Sequence, residues 1–143
     1  MLPKVLSKLF LSALALLLMV LAPPAVNSAE SQQAVIFYRY ISELYYAKSL
    51  KPVAKYWIST VRNQLSNQTG QRAVYELEKL KHGYVYKPKI NVQSMQGQRC
   101  LMKGTGIASD LGRTFPCTLD VIMIFEEGTW RIQYYNWSAT ILK

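Results

Sequence analysis

Eight carboxylates, one histidine and two cysteines are the side chains of this 143-residue chain that could do acid–base, nucleophilic or metal chemistry. Acid–base work needs a carboxyl or imidazole group held away from water beside a second polar group. Glu30 lies in a polar lead-in, Glu76 and Glu78 flank the inward Leu77, Asp110 sits in a turn, and Glu126 and Glu127 form a hairpin tip. Glu43 and Asp120 are left as the interior acids. Asp120 faces Tyr135 across a strand pair, a carboxylate beside a phenol that reads as a structural or surface pair rather than a catalytic one. His82 alone cannot build a metal site, since zinc needs three or four spaced ligands. The Gly104-Thr105-Gly106 segment lacks the lysine and following helix of a phosphate loop. No catalytic residue, metal or cofactor is expected, and the chain reads as a non-enzyme.

Cys100 and Cys117 are the only two cysteines. In an oxidising compartment a bridge between them is the natural reading. The register matters. With a four-residue turn at Ser109–Gly112, Ala108 pairs with Arg113 and Cys117 faces Gly104. Cys100 is then about 13 Å further along at strand rise, beyond the roughly 7 Å that a bridge tolerates. The expected disulfide therefore requires Cys100 opposite Cys117, with Lys103–Arg113 as a wide loop.

The elements that position these groups follow from periodicity. Apolar residues at helical spacing predict helices over Gln32–Ser49, Pro52–Leu65 and Gln71–Lys81. Ala34, Phe37, Tyr38, Ile41, Leu44 and Tyr45 form the inward stripe of the first, with Tyr40 and Tyr46 beside it. The period then changes to two. Strands are predicted over Tyr84–Met95, Arg99 to about Ile107, Cys117–Glu126 and Thr129–Trp137. The last two are joined by Glu127-Gly128, where glycine supplies positive φ. That turn places Phe125 opposite Trp130, Met123 opposite Ile132 and Val121 opposite Tyr134.

The other face of the same hairpin would carry Ile122, Ile124, Tyr135 and Trp137. A sheet with one face to water should be polar there, so these four are the interface candidates.

The first 29 residues read as a secretory signal peptide. Lys4 and Lys8 precede an apolar run, Leu9–Ala22, which is shorter than the roughly 20 residues of a membrane span. Small residues lead to a cleavage site after Ser28 or Ala29. Contact with a membrane would come only through an uncleaved leader. The rest, 30–143, is one domain of secreted or periplasmic location, long enough to bury a core. Losing Lys4 and Lys8 lowers the net charge from +9 to about +7, which suits an acidic partner. Export argues against nucleic acid.

Three helices followed by a four-stranded antiparallel meander make an α+β protein, with helices on one face of a curved sheet. In this element order, and in the closing Phe125-Glu126-Glu127-Gly128-Thr129-Trp130-Arg131-Ile132, the chain resembles the nuclear transport factor 2-like superfamily. A cystatin-like fold with a single helix is the alternative, opposed by the second and third helical segments. The resemblance implies two functional readings. In the first, the chain is a binding or assembly module that pairs through its outer sheet face, as a homo-oligomer or with an envelope protein. In the second, an enzyme or carrier holds a small hydrophobic ligand in the cone, lined by Tyr38, Trp57, Met123 and Tyr134 with Asp120.

Overall fold

The computed structural model describes Glu30–Thr140. The expected leader, 1–29, and the last residues of the tail, 141–143, lie outside the described residues. Helix α1 (Gln32–Tyr46) opens the domain, capped by Ser31, whose Oγ accepts the Ala34 amide at 3.1 Å. Its buried stripe is Ala34, Phe37, Tyr40, Ile41 and Leu44. Tyr40 is thus inside and Tyr45 outside, the reverse of expectation. Tyr40 completes the i, i+3, i+4 row with Phe37 and Leu44, whereas Tyr38 and Tyr45 share the neighbouring stripe.

The expected second helix is two short ones, α2 (Lys51–Ala54) and α3 (Ser59–Ser66). Between them the chain extends and pairs with the last strand. The Ile58 amide donates to the Ile132 carbonyl at 2.9 Å, and the Ile132 amide donates to the Tyr56 carbonyl at 2.7 Å. This covers part of an open sheet edge, which outweighs the helical pattern of Val53, Tyr56 and Trp57. Helix α4 (Gly70–Lys81) follows and leads into the sheet.

Strands β1 (Val85–Gln96), β2 (Arg99–Asp110), β3 (Arg113–Glu126) and β4 (Thr129–Ala139) pair antiparallel in chain order. The helices lie against one face of this open sheet, so the molecule is α+β. Cys100, Met102, Leu119, Val121, Met123 and Ile132 line that face and meet Phe37, Tyr40, Leu44, Val53 and Trp57 in one core.

Two turns decide the register. Glu127 and Gly128 both have positive φ, 51° and 76°, which makes the tight hairpin turn expected. Leu111 and Gly112 do the same, with φ 48° and 74°. The connection between β2 and β3 is therefore two residues rather than four. A leucine in the left-handed region, 94% exposed, is not a residue that sequence patterns place in such a turn. Asp110 consequently pairs with Arg113, and Ala108 with Phe115.

The disulfide expectation fails for this reason. Cys100 lies opposite Met123 and Cys117 opposite Gly106, and both thiols are free and buried. Cys100 and Gly106 belong to the same strand, so the two sulfurs are separated by six residues of β2, about 20 Å at strand rise.

A bulge corrects the last hairpin. Phe125 faces Trp130 and Met123 faces Ile132, but Ile122 then faces Tyr134 and Val121 faces Tyr135. Gln133 is the extra residue. A single added residue exchanges the two faces of a strand from that point on. Tyr134 therefore points out, Tyr135 and Trp137 point in, and Asp120 pairs with Asn136 instead of Tyr135.

Candidate functional site

The residues expected to line a ligand pocket do not gather. Trp57 and Met123 are sealed in the core, 9% and 0% exposed. Asp120 is on the outer face, half exposed and 3.6 Å from the Lys103 ammonium. Tyr134 is on the same outer face. Tyr38 borders a cavity. The space between helices and sheet is filled by aromatic rings. Tyr40 meets Trp57 edge to face at 5.7 Å, and Phe37 meets Tyr135 at 5.0 Å.

The interface candidates also separate. Ile122 and Ile124 lie on the outer face as expected, half-buried beside Leu101 and Tyr134. Tyr135 and Trp137 belong to the inner face, where both hold the link between α4 and β1. The Tyr135 hydroxyl donates to the Gly83 carbonyl at 2.6 Å, and the Trp137 indole N–H donates to the His82 carbonyl at 2.9 Å. Burial pushes the Tyr135 phenol well above its ordinary range.

The acids do structural work. Among the described residues Gln33 is the one polar side chain in the buried set, so no carboxylate stands in the core. Glu126 accepts the Ser59 amide at 2.5 Å and so caps α3. Glu127 takes the Arg62 guanidinium at 2.8 and 3.0 Å. The hairpin tip is thereby fixed to α3. Glu43 accepts from the Tyr56 phenol at 2.6 Å and from Lys55 at 3.2 Å. Partial burial raises the Glu43 carboxyl, but those two donors outweigh it and leave it below the usual range. No group of three or more His, Cys, Asp or Glu among the described residues could hold a metal. No helix among them is long and apolar enough to cross a membrane.

One cavity among the described residues was not anticipated. It is an open cleft of about 740 Å³ between the C-terminal half of α1 and the paired ends of β1 and β2. Helix α1 contributes Tyr38, Ile41, Tyr45 and Tyr46. The entry to β1 contributes Tyr84, Tyr86, Lys87 and Pro88, and Ile107, Ser109 and Thr114 close the far side. Five of the chain's ten tyrosines meet here. Tyr45 stands edge to face with Tyr46 and tilted against Tyr84, both with ring centres 4.9 Å apart. Burial raises the Tyr84 phenol, and the neighbouring phenols Tyr45, Tyr46 and Tyr86 add to it.

The cleft exists because β1 bulges at its mouth. Tyr86 pairs with Ile107 and Lys89 with Thr105, so Lys87 and Pro88 together oppose Gly106. Lys87 is held at φ 49°. On the inner side of the bulge, Tyr38 closes the edge by accepting the Ile90 amide on its hydroxyl at 2.7 Å. The sequence carried one trace of this, Pro88 within a strand pattern, which marks an edge or a bulge.

Comparison with known proteins adds the fold class. A variant of the designed protein Rd1NTF2_05 has a solved structure that superposes on this chain with a TM-score of 0.54. The two are 13% identical over 77% of this chain and the whole of the design. This similarity supports a nuclear transport factor 2-like fold, the class that the element order resembles. No protein-family model and no curated protein matches the sequence.

Proposed function

We propose that the chain is an exported, non-enzymatic binding module that takes a small apolar molecule into the tyrosine-lined cleft. The cleft itself carries this reading. Its volume of about 740 Å³ falls in the range of small-molecule sites, roughly 300–1,000 Å³. Its lining is rich in tyrosine, with Ile41, Val85, Pro88 and Ile107 beside them, which favours a flat apolar body with few polar atoms. The filled core, with no carboxylate in the buried set among the described residues, favours binding over acid–base catalysis. Of the residues expected to hold a ligand, Tyr38 keeps that role in the proposal, and Trp57, Asp120, Met123 and Tyr134 do not.

The test is a chemical-shift map of the folded domain during titration with a panel of bicyclic aromatic compounds. Shifts should centre on Tyr45, Tyr46, Tyr84 and Tyr86. A panel that leaves all four unmoved contradicts the reading. Export is tested apart from it, by sequencing the N-terminus of the protein recovered from its producing cell. A mature chain should begin at Ala29 or Glu30.

A second reading has its own observation. Ile122, Ile124, Leu101 and Tyr134 make an apolar row on the outer sheet face, flanked by Arg99 and Arg131. Such a row suits association with a second copy of the chain or with an acidic envelope protein.

A further inference from the structure

We infer that the ligand of the tyrosine cleft is an anion, a flat apolar body bearing a carboxylate, and that Lys87 selects it. The inference rests on the cleft being the binding site and concerns the class of molecule it takes.

Aromatic walls alone do not decide the charge of a ligand. Rings facing a common space also make cages for quaternary ammonium groups, which the negative ring faces attract. Here the remaining lining decides. Among the described residues no Asp or Glu borders the cleft, and Lys87 is the one charged residue on it. A cationic ligand would meet an unopposed ammonium group, whereas a carboxylate would gain a charge-assisted hydrogen bond there. The net charge, +9 for the whole chain and about +7 without the leader, has the same sign preference.

The backbone at Lys87 points the same way. A lysine at φ 49°, directly before a proline, sits in a region that side-chain-bearing residues rarely adopt. Strain of this kind persists where the surrounding structure fixes it, and it concentrates at ligand sites. Its local consequence is visible. Lys87 and Pro88 leave the β1–β2 ladder, and the Lys87 ammonium folds back over the Tyr86 ring, 5.1 Å from its centre. The cation is thus held against a residue that lines the cleft, and Lys87 lines it too. Ser42, Ser109 and Thr114 add neutral hydroxyl groups that can donate to the same anion.

The experiment uses three probes of one shape: 2-naphthoate, 2-naphthalenemethanol and 2-naphthylmethylammonium. Each is titrated into the folded domain and into Lys87→Met and Lys87→Arg, with chemical-shift mapping at the cleft tyrosines. The acid should bind about tenfold more tightly than the alcohol, the worth of one charge-assisted hydrogen bond. The amine should bind most weakly. Lys87→Met should weaken the acid more than the alcohol and so remove the preference, and Lys87→Arg should keep it. An alcohol or amine that binds as tightly as the acid overturns the inference and leaves the cleft as a binding site. So does a preference for the acid that survives Lys87→Met. If none of the three probes moves the cleft tyrosines, the cleft reading itself is overturned, and this inference with it.

Discussion

The two cysteines show how much a single register fixes. Each is buried against the helices, one opposite Met123 and one opposite Gly106. Burial raises both thiols above their ordinary range. Neither should react with a thiol reagent in the folded protein, and both should react after unfolding without reductant. A pair that stays unreactive after unfolding would mean a bridge. The same burial sets an alkaline limit. A thiol whose folded pKa lies above its unfolded value, about 8.5, costs no stability below that pH. Stability falls as pH rises from there through the folded value, because only the unfolded chain ionises freely. Tyr135 acts in the same direction at higher pH. Denaturant midpoints measured from pH 7 upward should therefore decline, and a flat profile would contradict the buried placement. Glu43 gives a weaker acid limit of opposite sign. Its folded pKa is lowered, so its contribution is present above about pH 4.3 and is lost as pH falls through the folded value.

At the scale of elements, the sheet is held by contacts that leave little room. A Cβ added at Gly104 would clash with the Lys89 carbonyl oxygen, where β1 pairs with β2 beside its bulge. Gly104→Ala should shift backbone against backbone and cost about 1–3 kcal/mol, the usual range of overpacking, read from chemical denaturation. Loss of the Glu126 carboxylate removes the cap of α3, so Glu126→Ala should cost about 1 kcal/mol. The helix order, the change of period near Tyr84 and the Glu127-Gly128 turn were legible in the sequence because each is a local signal. Three features were not. The Leu111-Gly112 turn puts a large apolar residue at positive φ. The Gln133 bulge leaves a run, Ile132-Gln133-Tyr134-Tyr135, that fits either face. Pairing of Tyr56–Ile58 with β4 joins segments more than seventy residues apart, and no local pattern announces it. The first two moved Cys100, Cys117, Tyr135 and Trp137 from their expected places.

For the whole molecule, these shifts change what an interface experiment means. Trp137→Lys would place a charge in the seam between β4 and the α4–β1 link, so its expected effect is loss of stability. Ile122→Lys is the informative variant for the outer face. If the chain self-associates there, sedimentation should show a concentration-dependent dimer that Ile122→Lys abolishes while the fold persists. A dimer untouched by that change would place the contact elsewhere. The outer row is apolar but small once Tyr135 and Trp137 are removed from it. The cleft, by contrast, gathers five tyrosines from two parts of the chain that the sequence alone did not bring together. Tyr38, Tyr45 and Tyr46 come from one helix, and Tyr84 and Tyr86 from the start of the sheet. Ligand binding at that junction is the central claim. Its most direct test is the shift map with 2-naphthoate, repeated on Tyr84→Ala. The account predicts a saturable response at Tyr45, Tyr46 and Tyr86 that the variant loses. A saturable response confined to Ile122, Ile124 and Tyr134, or one that survives Tyr84→Ala unchanged, would contradict it.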